Sequence, residues 1–216
     1  LWLGMTATPD KRDDNVEGRK VYEIFNYQIA YEIRLQQAME ENLLCPFHYF
    51  GITDLSMIGD EEAARDFNML TSDERVRHIV NQADYYGYSG DKVKGLIFCS
   101  NIKETEELSA KFNQIINPAT GKNFRTVALN GSASEQERQD AFERLAMNED
   151  ESSEDRQPLD YIFSVEILNE GVDIVEVNQV IMLRPTQSPI VFIQQLGRGL
   201  RKASGKEYVV ILDFIG

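Results

Sequence analysis

Arg198 and Arg201 stand three residues apart in the run Gln194-Gln195-Leu196-Gly197-Arg198-Gly199-Leu200-Arg201, behind the apolar stretch Ile190-Val191-Phe192-Ile193. Residues at i and i+3 project from one helical face. Gly197 and Gly199 let that face approach another surface closely. Two guanidiniums held on a rigid face suit a polyanion such as a triphosphate. There they can supply positive charge where negative charge develops in phosphoryl transfer. The bland alternative is a pair of solvated charges or salt-bridge partners.

Such a pair needs a scaffold, and from Lys92 onward strand-like and helix-like segments alternate. Val93 to Cys99 reads as a buried strand. A helix follows from Asn101 to Ile116, with Asn101 as N-cap and Glu104 three residues on. Arg125 to Leu129 is the next strand. Ser134 and Glu137 then cap a helix running to about Met147, which buries Ala141, Phe142 and Leu145. Leu159 to Val165, Val177 to Leu183 and Glu207 to Leu212 are further strands. Ser188-Pro189 opens the arginine helix, with serine as cap and proline at the first position. Strands separated by helices of this length predict βαβ units and a mainly parallel sheet with helices on both faces, an α/β fold.

The first half is less regular. Leu1 to Met5 resembles the end of a buried strand, Asp10 to Lys20 is polar and loop-like, Arg34 to Asn42 is a helix and Cys45 to Phe50 a strand. Thr71-Ser72-Asp73-Glu74 opens another helix with Val76, Ile79, Val80 and Ala83 on one face. Its Asp73-Glu74 pair sits in a helical first turn, where acids favour the macrodipole, and not at the end of a buried strand, where a metal-binding DExx pair belongs.

The chain has 216 residues, 42% of them hydrophobic, and a net charge of -14. That charge argues against a broad basic surface for duplex DNA. Much of it lies between Asn148 and Asp155, a run without apolar periodicity that reads as a mobile solvated loop. No apolar run approaches the ~20 residues that span a bilayer, and no signal peptide is visible, so no membrane association is expected. Cys45 and Cys99, the only cysteines, read as reduced core thiols of a cytoplasmic protein. Cys45, His48, His78 and Cys99 fit no standard zinc spacing, and no metal site is assigned.

Four features occur in order: Thr6-Ala7-Thr8-Pro9, Leu96-Ile97-Phe98-Cys99-Ser100-Asn101, Asn169-Glu170-Gly171-Val172-Asp173-Ile174, and the arginine helix. Their order and wording resemble the second half of a superfamily 2 helicase, from motif III through motif VI. Leu183-Arg184-Pro185-Thr186-Gln187-Ser188 and the arginine run look most like the motor subunits of type I restriction enzymes and related DNA-repair helicases. Tyr31 to Leu44 resembles the passage that joins the two RecA-like lobes of these proteins. The resemblance implies a remnant of the first lobe and linker over residues 1–30. A second, C-terminal RecA-like lobe would fill residues 31–216.

Roles follow from that resemblance. Arg198 and Arg201 would face the γ-phosphate bound on the other lobe, with Arg201 the first choice for the finger. Gln194 would order the helix at the lobe interface. Asp173 would bond the nucleotide ribose and Gly171 would let the backbone approach; a plain turn is the alternative for Asp173. Thr6 and Thr8 would relay nucleotide state to the nucleic-acid groove, or simply end a strand before Pro9. Ser100 and Asn101, at a strand end and a helix N-terminus, offer N–H groups and a hydroxyl to a phosphate oxygen; for Asn101 helix capping is an equal alternative. Asn130-Gly131 is similarly placed, with Asn130 standing where relatives have histidine. Ser164 or Val165 falls, off by one, at the position of a phosphate-contacting threonine in relatives.

The expected partners are nucleic acid, DNA by the resemblance, and the first RecA-like lobe. No Gly-x-x-x-x-Gly-Lys-[Ser/Thr] and no strand-borne Asp-Glu pair occur, and the chain opens on Leu1 without methionine. The chain therefore reads as a segment of a longer ATP-dependent helicase or translocase whose ATP and Mg2+ are cradled upstream, and which is inactive alone. Two rivals stay open: a non-catalytic interaction module that kept the fold, and the motor lobe of a restriction nuclease.

Overall fold

In the computed structural model the described residues are 45–54, 67–165, 176–184, 203 and 205–215. In chain order they form β1 (Phe47–Thr53), the single turn α1 (Phe67–Leu70), α2 (Asp73–Tyr86), β2 (Gly95–Phe98), α3 (Ile102–Phe112), β3 (Thr126–Leu129), α4 (Glu135–Ala146), β4 (Tyr161–Ser164), β5 (Gln179–Met182) and β6 (Val209–Ile215). The expected strand end at residues 1–5, the helix at 34–42 and the arginine helix lie outside the described residues, as does the expected lobe boundary near residue 30.

Local chemistry sets the helix ends. Ser72 Oγ accepts the N–H of Arg75 to open α2, and Asp73 and Glu74 occupy its first turn. Asp73 is bound by Lys111 Nζ at 2.6 Å, chiefly through a hydrogen bond that holds its carboxyl below the ordinary range. It therefore serves the helix surface. α4 opens with a complete capping box between Ser134 and Glu137. α3 departs from that pattern. Asn101 Oδ1 accepts the N–H of Glu104 at 3.0 Å, but the Glu104 carboxylate turns to the N–H of Ser100 at 2.7 Å. The physical reason is Arg75, which takes the other carboxylate oxygen at 2.8 Å.

The strands form one sheet in the order β1-β6-β5-β2-β4-β3, and every neighbouring pair is parallel. Alternation along each strand splits the core in two. Leu96, Phe98, Ile162, Val180 and Ile211 pack with Ala141, Phe142 and Leu145 of α4. Ile97, Phe163, Ile181 and Leu212 pack with α2 and α3 through Val76, Ile79, Leu108 and Phe112. Helices thus cover both faces, as the apolar strands require. Cys45 and Cys99 are buried and not joined in a disulfide. Burial pushes the Cys99 thiol well above its ordinary value, so it is a core group without nucleophilic character.

The acidic run is solvated, as expected from its composition, and residues 148–157 are exposed. It is nevertheless tied down. Glu149–Glu151 makes one turn of 3-10 helix, with Asn148 and Glu151 reciprocally bonded, and Arg125 pairs with Glu149.

Gly95 is required by packing. A Cβ there would lie 2.2 Å from the ring carbons of Tyr161, whose ring is buried and held by a 2.5 Å bond from its hydroxyl to Gln179. Overpacking of this kind costs about 1–3 kcal/mol. Gly95→Ala is expected to lower stability by about that amount in urea unfolding, with an unchanged slope.

Candidate functional site

Open parallel sheets place ligands outside the carboxyl ends of their strands, at the point where the chain leaves neighbouring strands in opposite directions. β2 and β5 are such a pair. From β2 the chain proceeds toward β3 on one side, and from β5 toward β6 on the other. Ser100 follows β2, Leu183 and Arg184 follow β5, and the residues expected to carry the arginine helix come next in sequence.

Three of the expected phosphate-contact positions stand side by side on this edge. Ser164 ends β4, opposite Phe98 of β2 and Leu129 of β3. Ser100 and Asn130 start the loops beyond those two partners. Neighbouring strands lie about 4.8 Å apart, so the three loops span roughly 10 Å. Ser100, Asn101 and Gly131 are exposed and Asn130 is half-buried. Ser164 is only 4% exposed, and its carbonyl accepts the N–H of Cys99 at 2.9 Å.

The polar groups on this edge are largely engaged by the protein itself. The Ser100 N–H, expected as a free donor, is taken by Glu104. Asn101 caps α3. Asn130 Oδ1 accepts the N–H of Ser132 at 2.9 Å and its hydroxyl at 2.5 Å, closing an Asx turn. Arg138 of α4 braces that turn from its guanidinium, donating to the carbonyl of Gly131 at 3.2 Å and that of Ala133 at 3.1 Å. A cleft of about 540 Å3 beside β3 and α4 adjoins the turn, with Glu137, Asp140 and Arg144 as its charged lining. The arrangement therefore offers a rim of exposed hydroxyl and backbone groups on rigid strand ends.

A group that sequence reasoning passed over lies behind this rim. Arg75, 1% exposed, grips Asp54 from Nε at 3.0 Å and from a terminal nitrogen at 2.7 Å. It also donates to Glu104 at 2.8 Å, to the Leu70 carbonyl at 2.6 Å and to the Leu183 carbonyl at 3.4 Å. Burial works against its charge, but the hydrogen bonds and charges of Asp54 and Glu104 outweigh that and raise its pKa. The signal was present in the sequence. Positions 75, 79 and 83 form one helical stripe, and an arginine there breaks an otherwise apolar face.

The family described as "Helicase conserved C-terminal domain" matches residues 74–203, more than half of the chain. The chain belongs to the helicase C-terminal domain family. A Methanocaldococcus jannaschii protein named "Putative ATP-dependent RNA helicase MJ1505" is 29% identical over 178 residues, covering 74% of this chain and 21% of that protein. The Saccharomyces cerevisiae protein named "Putative ATP-dependent helicase IRC3" is 19% identical over 99% of this chain and 29% of its own length. The helicase domain described here thus spans less than a third of either relative.

Among solved structures, a fragment of a putative HsdR subunit of a type I restriction enzyme from Vibrio vulnificus YJ016 superposes with a TM-score of 0.62 at 19% identity. The match covers 94% of this chain and 38% of that one. The ATP-dependent Type ISP restriction-modification enzyme LlaBIII, bound to DNA, gives 0.59 at 20% identity over 91% of this chain and 14% of that one. These likenesses establish the RecA-like fold of a helicase C-terminal lobe. Thr6, Thr8, Gly171, Asp173, Gln194, Arg198 and Arg201 lie outside the described residues. Among the described residues no group of three or more His, Cys, Asp or Glu side chains could hold a metal ion, and no helix is long and apolar enough to cross a membrane.

The two readings of Asn101 separate by mutation. Asn101→Ala is expected to cost about 1 kcal/mol of stability through the lost cap, and Asn101→Ser to restore most of it. If Asn101 only caps, nucleic-acid affinity follows the cap: Asn101→Ser binds like the wild type in a fluorescence-anisotropy titration.

Proposed function

We propose that this lobe works in an ATP-dependent helicase or translocase that moves along DNA, closing on a first RecA-like lobe of the same protein when ATP and Mg2+ are bound. The observation that carries the proposal is the alignment of the Ser100, Asn130 and Ser164 strand ends on one edge of a helicase C-terminal domain, next to the β2–β5 switch point. Both relatives carry ATP-dependent helicase names, one of them an RNA helicase, which supports the motor reading; the neighbour bound to DNA is what favours DNA as the track.

In this proposal Ser100, Asn101, Asn130 and Gly131 line the track for one strand's phosphates, and Ser164, only 4% exposed, backs it from the end of β4. Contacts of this type position a backbone and read no sequence. Gly171 and Asp173 serve the nucleotide side of the lobe, the glycine by allowing close backbone approach and the carboxylate by accepting a ribose hydroxyl. Gln194 orders the arginine helix. Arg198 and Arg201 direct guanidinium donors across the lobe interface toward the phosphates, and Thr6 and Thr8 couple nucleotide state to the track. ATP with Mg2+ supplies the phosphoanhydride whose cleavage resets the closed state. The cradle for both is assigned to the first lobe, since the sequence has no P-loop and no Asp-Glu pair stands on a strand among the described residues. The setting is cytoplasmic.

Two outcomes test the assignment. The isolated chain is expected to show no ATP turnover with or without single-stranded DNA; stimulated hydrolysis that co-purifies with the chain would refute the missing-cradle argument. In the full-length protein, Arg201→Ala is expected to lower the stimulated kcat by on the order of 10³-fold or more, with ATP affinity weakened only modestly. Arg201→Lys should rescue little, because lysine lacks the planar fork. A normal kcat with a lowered melting temperature would make Arg201 a structural residue.

A further inference from the structure

The ionic cluster around Arg75 is an expensive way to fill a core. Arg75 is 1% exposed, Glu104 0% and Asp54 3%. Apolar side chains of similar volume often stabilise a core as well as such a cluster or better. What apolar side chains cannot do is bond several chain segments at fixed angles. Arg75 reaches Asp54, directly after β1, and the carbonyl of Leu183, directly after β5. Through Glu104 it reaches the N–H of Ser100, after β2. Leu183 and Ser100 flank the switch point, and Leu183 leads into the segment that carries Arg198 and Arg201. Glu104 also occupies the Ser100 N–H that an anion would otherwise take, which leaves the exposed Ser100 hydroxyl as that residue's donor.

We infer that Arg75 and Glu104 are positioning residues, which hold the Ser100 loop in register with the end of β5 so that the Ser100 hydroxyl meets a nucleic-acid phosphate. This rests on the nucleic-acid role proposed above. Neither residue touches the nucleic acid; both act through Ser100.

The test uses the full-length protein and measures ATP hydrolysis against the concentration of a single-stranded oligodeoxynucleotide. Glu104→Gln preserves shape, but its amide cannot accept from both Arg75 and the Ser100 N–H. The half-stimulating oligonucleotide concentration is expected to rise about fivefold, the factor that one ordinary hydrogen bond is worth, while the KM for ATP stays unchanged. Ser100→Ala should raise it similarly, and the double variant should be no worse than the poorer single variant, because both changes act on one contact. Arg75→Lys, which keeps the charge and loses the fork, provides a second variant with the same expected direction.

If Ser100→Ala shifts the response while Glu104→Gln and Arg75→Lys only lower the melting temperature, the cluster is structural and the inference is overturned alone. Additive effects in the double variant overturn it as well. If neither Ser100→Ala nor Glu104→Gln shifts the response, the nucleic-acid role of Ser100 fails and the inference falls with it.

Discussion

A single guanidinium, buried where water cannot solvate it, constrains the carboxyl edge of this domain. Arg75 is held by two carboxylates and two backbone carbonyls drawn from α1, α3 and the ends of β1 and β5. Removing one partner of a buried ion pair typically costs about 3–5 kcal/mol, because the other charge is stranded. That is a large fraction of the ~5–15 kcal/mol by which domains are stable. The apolar layers on either side are interchangeable within limits of volume. The fork of Arg75 is not, and the strand ends that it ties together are those expected to meet ligands.

The edge also explains how an acidic lobe can serve a polyanion. The net charge of -14 argues against attraction from a broad basic surface. Short polar contacts at strand ends need no such surface. Asn130 and Arg138 show the same economy as Arg75, spending polar groups on holding a turn in place. In the proposed reading, such preorganisation replaces charge. The track would be rigid, indifferent to base identity and completed by the other lobe.

Charge at the opposite end of the sheet does different work. Lys94 Nζ caps the carboxyl end of α4 at the Ala146 carbonyl, 2.5 Å away. Arg125 draws the acidic run back onto the domain through Glu149. Those contacts secure a helix end and a loop far from the carboxyl edge.

Much of the fold was legible in the amino-acid order because it rests on local rules. Apolar runs of strand length, serine caps at 72 and 134 and the acids that follow them set where α2, α4 and the parallel strands begin, and these are properties of neighbouring residues. The family was legible too, because its motifs are short contiguous strings. The partners of polar side chains were not. Glu104 read as the second half of a capping box, and only the arrival of Arg75, 29 residues away in sequence, turned its carboxylate to Ser100. Arg75 itself, beside Val76, drew no reading at all. Sequence determines which groups need a partner. Tertiary structure decided which partner each received, because a buried charge is satisfied by whatever the packed strands bring within hydrogen-bonding distance.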